Sequence, residues 1–243
     1  LPEPNFLPSH VSSSNFSYSL DTTTGNLPYF PKIAKVFFMP KIQTGFLAPD
    51  KAQGLAQKFD LKIPPEILSE TEYRFKDKTR SLIINLDSGN FTYQEEATAT
   101  ALQTVDPDDK KLIDNFKNLL SAKISLSDEI KNGIPKVGRA SDNLTAQISL
   151  WPQNVDEKPI ITPNFTHSLI NAQLTGQGGN LDNFLSLKFT YWPIDQTTFS
   201  TYPIKSAETA FSELQSGQGS VVIEPPKPQV SITSIYLGYY LSE

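Results

Sequence analysis

A hydrolase needs a nucleophile with a base beside it, and this chain offers few bases. His10 and His167 are its two histidines, so a Ser-His-Asp site would have to use one of them. His10 sits in a Pro- and Ser-rich stretch, and His167 sits between Thr166 and Ser168 in a segment that reads as strand. With no Gly-x-Ser-x-Gly elbow to present a nucleophile, both read as ordinary histidines. Two histidines and no cysteine leave no credible zinc set and no thiol chemistry. Asp106, Asp108 and Asp109 suggest a calcium loop, but the central Gly and distal Glu are missing, and helix capping accounts for all three. Asp156 and Glu157, near Trp151, suggest a glycosidase pair. Adjacent acids on an extended chain point to opposite sides, however, and Asn-Val-Asp-Glu-Lys-Pro reads as a solvated hairpin loop. The cluster Gly176-Gln177-Gly178-Gly179-Asn180 precedes no helix, so it reads as a hairpin turn rather than a phosphate loop. The expectation is therefore no catalytic, cofactor-binding or metal residue.

Binding is a different matter. Tyr191, Trp192, Tyr202, Tyr236, Tyr239 and Tyr240 crowd the C-terminal third. They suit a groove for a peptide or glycan, or a sheet core with hydroxyls at its rim. The contact surface is placed around Trp192, Tyr202, Tyr239 and Tyr240. Sequons begin at Asn15, Asn90, Asn143 and Asn164. A chain this rich in Asn, Ser and Thr yields several by chance, and a secreted eukaryotic domain would more often carry disulfides.

These residues sit in a chain of 243 with 38% hydrophobic and only 19% charged residues. The 15 Phe, 9 Tyr and 2 Trp provide enough apolar mass for a core and exclude a fully disordered chain. A net charge of −5 argues against a nucleic-acid partner. No apolar run is long enough to span a bilayer. Low charge, abundant amides and hydroxyls and no cysteine fit an exported bacterial protein. Residues 1–30 read as an extended stalk, or as an edge strand using Phe6, Phe16, Tyr18 and Leu20.

The elements that must position the site follow from periodicity. Residues 33–39 read as a buried strand. Ala52, Leu55, Ala56 and Phe59 form one helical stripe, and strands are expected at 71–75, 81–86 and 91–94. A second helix is expected with Asp106 as N-cap, Pro107 at the first helical position, and Leu112, Ile113, Phe116, Leu119 and Leu120 facing the core. A short helix follows at 127–129, then strands at 146–151, 165–174 and 184–192. A third helix begins near Ser206 and stops at Gly217, and the apolar load on both faces of 232–241 predicts a central strand. The helices at 50–60 and 206–216 share their spacing, which suggests an internal duplication with a seam near 97–105.

Two stretches carry a resemblance. Residues 81–92, Ser-Leu-Ile-Ile-Asn-Leu-Asp-Ser-Gly-Asn-Phe-Thr, resemble the strand-turn-strand of PepSY-type domains. Residues 202–214 followed by 232–240 resemble the C-terminal half of YycH/YycI-type proteins, extracytoplasmic regulators tethered by an N-terminal membrane helix. That resemblance implies a helix packed on an antiparallel sheet, regulation through protein contact, and no catalytic residues. The expectation is an α+β protein of two PepSY-like units: a stalk or edge segment at 1–30, a first unit at 31–100 and a larger YycI-like unit at 101–243. Its expected work is non-catalytic contact with another membrane or extracytoplasmic protein, without cofactor or nucleic acid. The membrane would be reached only through an N-terminal anchor upstream of Leu1. The alternatives are a secreted hydrolase or carbohydrate-active protein, and a structural cell-surface subunit.

Overall fold

Apolar residues at alternate positions build most of this molecule. The computed structural model describes residues 13–39, 45, 47–96, 104–162, 168–175, 184–191 and 193–241. A 3-10 turn at Ser13–Asn15 precedes β1 (Ser17–Leu20), β2 (Ile33–Phe38), α1 (Ala48–Lys58), β3 (Glu66–Ser69), β4 (Glu72–Lys76), β5 (Arg80–Asn85) and β6 (Phe91–Glu95). Then come α2 (Asp109–Lys123), α3 (Asp128–Lys131), β7 (Ile134–Arg139), β8 (Thr145–Trp151), β9 (Ile160–Ile161), β10 (Ile170–Thr175) and β11 (Phe184–Phe189). The chain continues through β12 (Asp195–Pro203), α4 (Ala207–Gln215), β13 (Gln229–Ile232) and β14 (Tyr239–Tyr240). This is an α+β fold.

Packing divides the chain into two units. The larger takes Met39–Gln153 and His167–Ile194. Its eight strands form one antiparallel sheet in the order β3-β4-β5-β6-β11-β10-β8-β7. One face is apolar: Phe75, Leu82, Ile84, Phe91, Leu187 and Ile148 are all buried. Helices close this face. Phe116 of α2 meets Phe184 edge-on at 6.3 Å, and Phe59, just past α1, stacks on Tyr93 at 4.7 Å. Burial of each such side chain contributes roughly 1.5–3 kcal/mol. β6 pairs with β11 from Phe91↔Phe189 to Gln94↔Ser186, so the sheet runs straight across the seam expected near 97–105. A two-unit repeat is not evident in this strand order.

The smaller unit draws on Leu1–Phe38, Asn154–Thr166 and Asp195–Glu243. Its described strands form three two-stranded pairs: β1 with β13 in parallel, β2 with β12 antiparallel, and β9 with β14 in parallel. Part of the 1–30 stretch is thus a strand, with Ser17↔Gln229 to Leu20↔Ile232 in register. Phe6 lies outside the described residues. The long central strand expected at 232–241 is not found. It is replaced by the ends of two short pairs, and Tyr236 between them is 61% exposed. Ser206 caps α4 by accepting from Thr209 N, and Gly217 ends it in the left-handed region at φ 86°. Gly217 N donates to Leu214 O and Gln218 N to Glu213 O, the paired bonds of a Schellman stop.

The start of α2 differs from expectation by two residues. Asp108 is the cap, accepting from Lys110 N and Lys111 N, while Asp106 accepts from Asp108 N one turn earlier. Pro107 therefore precedes the helix. Leu112, Phe116, Leu119 and Leu120 are buried, while Ile113 is half-exposed. Strand β7 follows Gly133, where a Cβ would collide with the carbonyl oxygens of Trp151 and Ile130. Pro135 lacks an N–H and is tolerated because β7 is an edge.

Candidate binding surfaces

Of the four residues expected to form one contact surface, Tyr202 and Tyr239 fall on opposite faces of the β2–β12 ribbon. Trp192 lies outside the described residues, as do His10, His167 and the 176–180 glycine cluster. Tyr202 is opposite Ala34 in the β2–β12 ribbon. Phe37 and Phe199 are a direct cross-strand pair on the other face, with rings 6.0 Å apart. Tyr239 packs on Phe37 at 5.3 Å, which places it on the face away from Tyr202. Tyr240 follows on β14, opposite Ile161. The period of two separates Tyr202 from Tyr239.

Charges frame the Phe37 face. Lys35 Nζ lies 5.1 Å from the centre of the Phe199 ring and 3.4 Å from Asp156 Oδ1. Lys158 Nζ donates to Asp156 Oδ2 at 3.2 Å and lies 5.9 Å from the Tyr239 ring. The Lys158 hydrogen bond, with the charges of Lys158 and Lys35, holds the Asp156 carboxyl below its usual range. Asp156 and Glu157 occupy the two central positions of a tight hairpin at φ 49° and 63°, bracketed by the Val155↔Lys158 bridge. The candidate carboxylate pair is thus a turn, and Asp156 faces two lysines. Burial, then the Asp156 carboxylate, pushes the Tyr239 phenol up.

The ribbon itself is exposed. Ile33 is 58%, Phe38 54% and Phe199 46% accessible. Among the described residues β12 pairs with β2 alone, so its outer edge carries no strand partner. A register shift between Asp195 and Phe199 bends this strand. It is pinned by Asp195, which accepts from Thr197 Oγ1 at 2.6 Å and Thr197 N at 2.9 Å. Hydrogen bonds from Thr197 and Thr198 hold the Asp195 carboxyl down at about 2.

The larger unit presents a second surface, on the sheet face opposite α1 and α2. Register aligns Gln147, Gln173, Ser186, Gln94 and Ser81 in one row across five strands. Ser149, Asn171, Lys188 and Thr92 form the row beside it. Together with Gly138 and Thr145 of the β7–β8 hairpin, these strands line an open groove of about 560 Å³. Asn171 is held in place: its Oδ1 accepts from Ser149 Oγ and Ser168 Oγ, each at 2.9 Å. Sequence reading missed this groove, because its residues come from strands far apart in the chain.

Sequence reading also missed a charged cluster at the helix side. Tyr93 Oη donates to Glu95 Oε2 at 2.6 Å, and Arg80 pairs with Asp77 at 2.7 Å while donating to Phe59 O. Lys123 donates to Lys58 O at 2.7 Å. Burial first, then Glu95, pushes the Tyr93 phenol far up. A small cavity of about 120 Å³ lies among these groups, whose hydrogen bonds tie helix ends to strands.

Of the sequons, Asn90 is buried, its Oδ1 accepting from Tyr191 N at 3.0 Å, whereas Asn15 and Asn143 are exposed. Asn164 lies outside the described residues. The chain matches no protein-family model, no curated protein and no solved structure.

Proposed function

We propose that this chain is a non-catalytic extracytoplasmic interaction protein, tethered to the membrane in its full-length form, that works by protein contact through the β2–β12 ribbon. The observation that carries this reading is the ribbon's combination of an open strand edge with exposed Ile33, Phe38 and Phe199. A strand from another membrane or extracytoplasmic protein would add to that edge through its backbone, with the exposed apolar side chains supplying pockets and affinity. Lys35 beside Phe199 adds a cation at the rim. Composition supports an exported setting, and a helix laid on an antiparallel sheet is the arrangement expected of PepSY-like and YycI-like regulators. On this reading Tyr202 and Phe38 contact the partner from one face and Phe199 from the other.

The test is site-specific photo-crosslinking in the envelope fraction of the native source. Probes at Phe199 and Phe38 should each give one discrete heteromeric adduct, and a probe at Asn143, in the larger unit, should not. Adducts equal at all three sites, or absent at both ribbon sites, would overturn the reading. Size-exclusion chromatography with light scattering separates the rival: a concentration-dependent ladder of oligomers indicates a structural subunit assembled by strand pairing.

A further inference from the structure

The groove of the larger unit is chemically unlike the ribbon. We infer that it binds a neutral glycan chain, a function separate from the protein contact proposed for the smaller unit.

The lining decides the ligand class. Gln94, Gln147 and Gln173 are exposed side chains whose amides each both donate and accept, and Ser186 and Thr92 do the same through hydroxyls. Sugar hydroxyls are also donors and acceptors at once, so each meets a complementary head group without fixing a charge. The charge pattern favours a neutral ligand over an ionic one. Among the described residues no carboxylate lines the groove to serve a metal or a cationic peptide. Of its two cations, Arg139 is spent on Asp109 and the carbonyls of Asp106 and Pro107. Lys188 sits between Thr92 and Asn171 in the row, and exposed Lys136 stands at its β7 end opposite Ser149, so the two ammonium groups are separated by the neutral Ser149 and Asn171 rather than paired to grip an anionic chain. An apolar ligand finds little to bury against, since Leu187 turns its side chain into the core.

The backbone rules out a peptide added as a strand, because β6, β11, β10 and β8 are all interior strands. A glycan needs only the side chains. Strands stand about 4.8 Å apart, so the row from Gln147 to Gln94 offers a polar group at regular intervals over about 14 Å. This repeat is close to the length of one sugar ring in an extended chain. Because the strands fix every Cα and Ser149 and Ser168 fix Asn171, the platform is already ordered before binding. Trp151, two residues beyond Ser149 on β8 and partly buried, lies on the same face outside the groove's lining.

Affinity electrophoresis of the full chain tests this, with hydroxyethylcellulose, galactomannan or glycogen cast in the gel and alginate as the anionic comparison. At least one neutral polymer should retard the protein, and alginate should not. The triple substitution Gln94→Ala, Gln147→Ala and Gln173→Ala removes three exposed side chains. It should keep the thermal midpoint while weakening binding at least about tenfold. Phe199→Asp should leave retardation unchanged, which separates the groove from the ribbon. No retardation by any neutral polymer, retardation by alginate alone, or full binding by a folded triple variant would each overturn the inference.

Discussion

At the scale of single residues, the strongest polar commitment is the Tyr93–Glu95 pair. Tyr93 is nearly fully buried, and its hydroxyl donates to a carboxylate at 2.6 Å. Tyr93→Phe should lower unfolding free energy by about 1–2 kcal/mol, since a hydrogen bond to a charged acceptor is removed without opening a cavity. Chemical denaturation checks this. The same residue sets a pH dependence. Its phenol ionises above the ordinary 10.0 in the folded chain, so the unfolded chain loses that proton first. Stability from this group is therefore intact below pH 10 and falls as pH rises through and beyond it. The variant should show a shallower alkaline decline than the wild type in matched denaturant titrations from pH 8 to 11. An equal slope would place the burial of Tyr93 elsewhere. Residue-scale chemistry of this kind was not legible in the sequence, because Tyr93 and Glu95 look like any alternating strand pair until Phe59 and Arg80 arrive from distant segments.

At the scale of elements, legibility tracked how local the signal was. The stripe of α2, apart from Ile113, and the stop of α4 at Gly217 are set by spacing and one backbone conformation, and both stand as read. The α2 cap slipped because Asp106, Asp108 and Asp109 are all capping residues, and only geometry picks Asp108. Strand β12 escaped notice because Thr197, Thr198, Ser200 and Thr201 surround Phe199 without apolar alternation. The segment 232–241 erred the other way: its Ile and Tyr content signals burial but not a pairing partner. Gly133 gives the element-scale prediction. It seats β7 against β8 where a methyl group has no room between two backbone carbonyls. Backbone cannot move aside as a side-chain end can, so Gly133→Ala should cost about 1–3 kcal/mol by forcing strand and helix apart. Gly138→Ala, with open space around its Cβ position on the same strand, is the matched control and should stay within about 0.5 kcal/mol. Thermal unfolding of the two variants side by side decides it, and equal losses would refute the steric account.

At the scale of the whole molecule, the question is whether 31–100 stands alone. Sequence order invites that division, since a helix and a four-strand meander follow one another before a polar stretch. The strand order argues otherwise, because β6 is interior and its partner β11 arrives about ninety residues later. Cut after Glu96, the meander would expose the whole outer edge of β6, and Phe91 would lose its stacked contact with Phe189 at 5.4 Å. It would also lose α2, whose Phe116 and Leu120 are fully buried in the intact chain. Residues 31–96 hold β2, whose partner β12 lies outside them, and otherwise only α1 and the four-strand meander, which leave little surplus over conformational entropy even when fully packed. A fragment of residues 31–96 should therefore lack near-ultraviolet circular dichroism and a cooperative melt. A fragment of residues 47–194, which carries all eight strands of the large sheet together with α1, α2 and α3, should retain them. A cooperative transition in the shorter fragment would restore the boundary near residue 97. Its absence, with the longer fragment folded, would make the eight-stranded sheet the indivisible unit of stability and confine any duplication to the spacing of two helices.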